Sequence, residues 1–155
     1  ALGLGGCTTT TPPSDSQHLR GVVAIGGPLA HARISVRDAT GQQRSTEADA
    51  QGRYQLDATT LTPPLALVAT ELGNTNCRYN HTPRAVCMVA WRATLQPGDN
   101  TANINPLTDW LASEMATAQK FIGPQQFAEA PVAPDVPPAV QARALQQLRN
   151  GLAPH

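Results

Sequence analysis

Charge and aromatic rings are both scarce in this chain. Charged residues make up 14% of it, eleven of each sign, and aromatic rings only 4%. Such a balance gives no basic face for a nucleic-acid backbone and no polybasic patch for an anionic membrane. With so few rings, the core must be built mainly from Val, Ile, Leu and Ala. Lysine is scarcer still. Lys120 stands alone among arginines, a bias that, with the many alanines, points to a GC-rich bacterial genome. No apolar run approaches the roughly 18–20 residues of a membrane-spanning helix.

Catalytic signatures are missing as well. None of the four histidines, His18, His31, His81 and His155, sits in a nucleophile elbow or an H-E-x-x-H motif. A triple such as Ser113, His81 and Asp109 is of the kind any chain of this size offers, so no catalytic residue is assigned. Glu47 with Asp49, and Asp99 with Asn100, read as β-turn residues bonding the local backbone rather than as calcium ligands. "GLGG" near the start follows no strand and opens no helix, which excludes a dinucleotide loop. No cofactor and no metal is expected.

What is abundant is turn chemistry, with fourteen prolines and twelve glycines in 155 residues. That length holds one core with appendages. Between Gly21 and Asp57 the chain alternates cleanly. Ala32, Ile34 and Val36 take turns with Arg33, Ser35 and Arg37, the period of a half-buried strand. Asp38–Gln42 (DATGQ) and Asp49–Tyr54 (DAQGRY) put Asp at the start of a turn and Gly where φ is positive. Strands are expected over residues 18–24, 32–38, 43–48, 53–57, 65–71, 85–94 and 101–104. Pro63-Pro64 delays the fifth, because neither residue can donate to a ladder. The apolar members Val22, Ile34, Val36, Leu56, Leu67, Val89 and Trp91 are the expected core.

From Asn105 the period changes to that of a helix, with Asn105 as cap and Pro106 at the first position. Leu107, Leu111, Met115, Ala118 and Ile122 fall on one stripe, flanked by Trp110, and Gly123-Pro124 supplies the stop. A second helix is expected over residues 138–150, with Gly151 ending it and an extended proline-rich connector before it. The domains are therefore a tether, 1–17, a β domain, 18–104, and a helical C-terminal extension, 105–155. The first helix is expected to fold back on an edge or face of the sheet rather than stand apart.

The pattern G-x-V-x-x-G-G-P-L-A-x-A-x-I-x-V-x-D-x-x-G, followed by D-x-x-G-x-Y-x-L, resembles the carboxypeptidase regulatory-like, prealbumin-type β-sandwich. The segment "NINPLTDW" resembles the V-N-I-T-P-L-T-D-L motif that follows such domains in secreted bacterial proteins. This resemblance implies a mainly β fold: a seven-stranded antiparallel prealbumin-like or Ig-like sandwich followed by two C-terminal helices. It also implies a non-catalytic, extracytoplasmic module serving in structure or protein–protein interaction.

The cysteines have candidate roles of their own. Leu2–Cys7 (LGLGGC) resembles a bacterial lipobox, with Cys7 as the lipidated residue, anchoring the protein to a membrane through a polar tether. Against it, the charged region and most of the apolar stretch of a signal peptide do not precede it. In the other version Leu2 and Leu4 form an extended segment that adds a strand to a neighbour in an extracellular, filament-like assembly. Cys77 and Cys87 border one loop and, in an oxidising compartment, form a disulfide worth about 3 kcal/mol in the chain-entropy model. A zinc site from Cys77, His81 and Cys87 would lack a fourth local ligand. The loop Asn74–Arg84, with Tyr79, His81 and Arg84, is the expected partner-contacting surface. A small-ligand or carbohydrate binder using Trp91, Tyr79 and that loop is the alternative. An exposed Trp91 or Trp110 would mark a partner or sugar surface.

Overall fold

The computed structural model describes residues 16–72 and 87–152. The described elements run β1 (Gln17–Val22), β2 (Arg33–Arg37), β3 (Gln43–Glu47), β4 (Arg53–Asp57), β5 (Leu65–Thr70), β6 (Cys87–Arg92), β7 (Gly98–Thr101), α1 (Pro106–Ala118), α2 (Pro124–Ala128) and α3 (Pro138–Leu152). The turns form as their residues dictate. Asp38 Oδ1 accepts the N–H groups of Thr40 at 2.9 Å and Gln42 at 2.8 Å, and Gly41 has φ 93°. Asp49 Oδ1 likewise accepts from Gln51 and Arg53, both at 2.9 Å, and Gly52 has φ 75°.

The strands form a mainly β body of two sheets, one of three strands in the order β4-β1-β7 and one of four in the order β3-β2-β5-β6. One core lies between them. Leu19, Val23, Tyr54, Leu56 and Ile104 come from one sheet and its continuation, and Ile34, Val36, Leu67, Met88 and Ala90 from the other. β2 and β4 bury alternate residues because their side chains point alternately to the two faces of a sheet.

The pairing is not antiparallel throughout. β1 and β7 run parallel, from Gln17 opposite Gly98 to Arg20 opposite Thr101. The ladder then continues past the strand, with Ala102 N–H on Arg20 C=O at 2.8 Å and Ile104 N–H on Val22 C=O at 3.0 Å. The last strand thus begins earlier than the expected 101–104 and absorbs "GDN", which read as a turn. Asn100, buried in this strand, still serves the neighbouring loop: it accepts Gln96 N–H at 2.8 Å and donates to Gln96 C=O at 2.9 Å. Side-chain alternation specifies which face is buried but carries no information about strand direction.

Of the expected core, Ile34, Val36, Leu56 and Leu67 are buried between the sheets. Val22 is not, being 38% exposed. Leu19 and Val23 face inward instead, with Gly21 on the same side, where a Cβ would come within 2.2 Å of the Ala102 carbonyl oxygen. Val89 and Trp91 also depart from expectation, since they lie on the far face of β6. There Val89 joins Ala66, Ala112, Ala128 and Ala133, and Trp91 packs on a third cluster around Met115, Phe127 and Val136. Strands β5 and β6 are covered on both faces, so alternation could not say which set faces the other sheet.

The C-terminal extension has three helices, not two, because the connector contains α2. Helix α1 stops before Gly123-Pro124: Lys120 takes φ 66° and Phe121 N–H returns to Ala116 C=O at 2.9 Å. Pro124 instead opens α2, and Gly151 lies within α3 rather than ending it. The expected stripe is rotated. Ala112, Met115 and Ala116 are buried, whereas Leu107 is 49% and Ile122 91% exposed, and Ala118 is exposed too. Small alanines let the helix sit close to the sheet, since interaxial spacing follows the side chains at the contact. Beyond α2 the chain is tied to the β2–β3 turn, with Ala133 N–H on Asp38 C=O at 2.8 Å and Arg37 Nη1 on Ala130 C=O at 2.7 Å. Among the described residues no helix is long and apolar enough to cross a membrane.

Candidate interaction surface

The docking of α1 determines what the surface offers. Asn105 Oδ1 accepts the N–H groups of Leu107 at 2.9 Å and Thr108 at 3.0 Å, and Thr108 Oγ1 accepts Asn105 N–H at 2.9 Å. This reciprocal cap satisfies donors that the helix itself cannot use. One residue on, Asp109 Oδ1 accepts Val89 N–H at 2.9 Å. Among the described strands β6 lies at an edge of its sheet, so the carboxylate closes part of that edge. Burial pushes the Asp109 carboxyl above its ordinary value, with the Val89 N–H pulling the other way.

With α1 fixed in this way, Leu107 and Trp110 face outward, Trp110 at 37% exposure. Beside them runs a groove of 380 Å³ bounded by Trp91, Leu107 and Leu111 on one side and Thr101–Asn103 on the other. An adjoining hollow of 280 Å³, walled by Met115, Ala144 and Leu145, shares Trp91, Arg92 and Leu111 with it. These volumes lie at or just below the lower end of ligand clefts, about 300–1,000 Å³. The Trp91 ring is held by its Nε1–H donating to Pro134 C=O at 2.8 Å. Arg92 bridges the two sheets, donating from Nη1 to Thr101 C=O at 2.7 Å, from Nε to Thr94 C=O at 2.8 Å and from Nη2 to Asn100 Oδ1 at 3.1 Å. The ion pairs among the described residues are Arg20–Asp99 at 2.7 Å and Arg53–Asp49 at 3.0 Å. Arg92 takes part in neither.

Most of the site residues expected from sequence, Cys7, Cys77, Tyr79, His81 and Arg84, lie outside the described residues. Cys87 opens β6 and is not a free thiol. The structure brings Trp91 into the groove but gives Asp109 and Ser113 no described histidine: Asp109 is committed to an edge N–H. Asp49 is held by its own turn, and Asp99 by Arg20. No group of metal-ligating side chains occurs among the described residues. Arg92 and the groove itself had no sequence signal, since their parts come together only through the packing of β6, β7 and α1.

No protein-family model matches the chain, and no curated protein matches it. Among solved structures, a 9R-lipoxygenase from Cyanothece PCC8801 is similar over 66% of this chain and 18% of that chain, at 15% identity and a TM-score of 0.31. A likeness at that level carries no argument about fold or activity.

Proposed function

We propose that the chain is a non-catalytic protein-interaction module of the bacterial cell exterior, with a β-sandwich of the carboxypeptidase regulatory-like, prealbumin-like kind. The observation that carries this reading is the apolar surface of α1. Leu107 and Trp110 stay exposed while Ala112, Met115 and Ala116 of the same helix are buried. Trp is a residue that partner surfaces favour. The helix is clamped at Asn105 and Asp109, so these side chains are presented rigidly, which lowers the entropy lost on binding. The partner is another protein of the cell exterior or a second copy of this chain. Lipid on Cys7 and a Cys77–Cys87 disulfide belong to the same reading, with the loop that includes Tyr79, His81 and Arg84 as a further contact surface.

A photo-crosslinking residue at Trp110, in the protein expressed by its source cells, tests the reading. The expected result is one defined crosslinked protein, or a crosslinked dimer, that does not form from the same residue at exposed Gln55 on β4. Identical patterns from the two positions would refute it. Mass spectrometry of the native protein adds the two covalent tests, diacylglyceryl on Cys7 and a Cys77–Cys87 peptide under non-reducing conditions.

A further inference from the structure

We infer that the groove between the end of β7 and α1 takes an extended peptide segment of a partner protein, one that presents apolar side chains and a carboxylate. The inference deepens the interaction reading and rests on it. Backbone groups supply the first reason. Gly98, Ala102 and Ile104 turn their N–H groups toward β1 and its flanking residues, so the alternate residues Thr101 and Asn103 turn theirs outward. The N–H groups of Thr101 and Asn103 and the C=O of Asn103 have no partner among the described residues. Across the groove, Asp109 occupies the N–H of Val89, but Trp91, two residues further along the edge strand, has no partner for its N–H and C=O among the described residues. A strand edge with open donors and acceptors is a template for an added extended chain, which a helix or a folded loop cannot supply.

Charge supplies the second reason. Arg92 is the single charged side chain lining either part of the groove. Its three described acceptors are two carbonyls and an amide oxygen, so its charge is not neutralised by a carboxylate among the described residues. An occupant bringing one carboxylate completes the site, whereas a polyanion would meet one cation only. The walls supply the third. Trp91, Leu107 and Leu111 are apolar, and a strand sends every second side chain to one face, so apolar residues at alternate positions fit them. Arg92 already holds the Thr101 C=O, so the segment lies from the Thr101 N–H toward Asn103. The other two edge strands among the described residues, β3 (QRSTE) and β4 (RYQLD), line neither part of this groove.

The full chain, 15N-labelled, is titrated with acetyl-Thr-Leu-Thr-Leu-Thr bearing a free carboxylate, with its C-terminal amide, and with a form N-methylated at both leucines. The acid form is expected to shift the amides of Thr101, Asn103 and Trp91 and the Trp91 indole N–H. The amide form binds about tenfold more weakly, and the N-methylated form does not bind. Leu107→Glu, at an exposed position outside the core, is expected to weaken the acid form by about tenfold through like-charge repulsion. Equal affinity of the acid and amide forms would refute the carboxylate. Binding of the N-methylated form would refute strand addition. A synthetic peptide of residues 1–15 that binds more tightly than the acid form would assign the groove to a second copy of this chain instead. If no peptide shifts these signals while Trp110 still gives its specific crosslink, the groove proposal falls and the interaction reading stands.

Discussion

Replacing Asp38 should be among the most damaging single changes to a polar residue. The side chain is fully buried at the β2–β3 turn. Its Oδ1 accepts from Thr40 N–H at 2.9 Å, the Thr40 hydroxyl at 2.7 Å and Gln42 N–H at 2.8 Å, and its Oδ2 from Thr62 N–H at 2.8 Å. A bond to a charged acceptor contributes roughly 1.5–3 kcal/mol, and an orphaned donor costs about 1–3 kcal/mol. Thr40, Gln42 and Thr62 are exposed residues, so water recovers part of the loss. The expected cost of Asp38→Ala is therefore about 2–4 kcal/mol, well below the simple sum. Asp38→Asn keeps one acceptor oxygen but turns an amide toward Thr62 N–H, and should cost about 1–2 kcal/mol. Burial pushes the carboxyl upward, but the donors of Thr62, Thr40 and Gln42 outweigh it, leaving the native pKa below the ordinary 3.8. The stabilisation from such a group is complete above the unfolded pKa and is lost as pH falls through the lower native value. Urea unfolding followed by tryptophan fluorescence should show the full gap between wild type and Asp38→Asn at neutral pH, shrinking below about pH 4. Asp49→Ala, at the same kind of turn but exposed, should cost much less. A loss under about 0.5 kcal/mol for Asp38→Ala, or a gap indifferent to acid, would refute the assignment.

Asp109 should behave in the opposite sense. Its pKa is raised by burial, so its ionisation opposes folding and this group adds stability, rather than removing it, as the pH falls through its native pKa. Asp109→Asn keeps an acceptor for Val89 and should leave stability at neutral pH unchanged or higher, whereas Asp109→Leu orphans that N–H and should lower it by about 1–3 kcal/mol. Gly21→Ala drives a Cβ to within 2.2 Å of the Ala102 carbonyl oxygen; a loss of about 1–3 kcal/mol is expected in the same unfolding assay. Ile34→Ala, fully buried, should cost about 2–5 kcal/mol. Val22→Thr should stay within about 0.5 kcal/mol, and the reverse ranking would mean that β1 faces the other way.

Local chemistry was the legible part of this fold. DATGQ and DAQGRY became turns because each Asp bonds N–H groups within four residues of it, and the Ile34/Val36 alternation marked a strand with one wet face. Asn105 and Thr108 capped α1 for the same reason. Features that depend on partners distant in sequence were not legible. The parallel direction of β7 is settled by where the β6–β7 connection crosses between sheets. The face on which Val89 lies is settled by a helix that covers it. Leu107 and Ile122 matched the helical period as well as Met115 did, yet alanines took the contact because the sheet is close.

NPLTD marked a helix start in the sequence, but its last residue acts outside the helix. Asp109 reaches the edge of β6, where it accepts the Val89 N–H, a contact suited to setting the rotation of α1 about its own axis. In that orientation Ala112 packs against Ala66 and Val89 of the sheet and Ala116 joins Phe127 and Val136, while Leu107 and Trp110 face water. If that bond sets the rotation, the exposed apolar surface depends on the edge contact, and the two can be separated experimentally. If Asp109→Asn preserves the Val89 bond, the Trp110 crosslink should persist unchanged. If Asp109→Leu frees the edge, α1 can turn on the sheet, and the crosslink should weaken even though Trp110 itself is untouched. A crosslink indifferent to Asp109→Leu, in protein shown to have lost the Val89 bond by amide exchange, would mean that packing alone orients the helix.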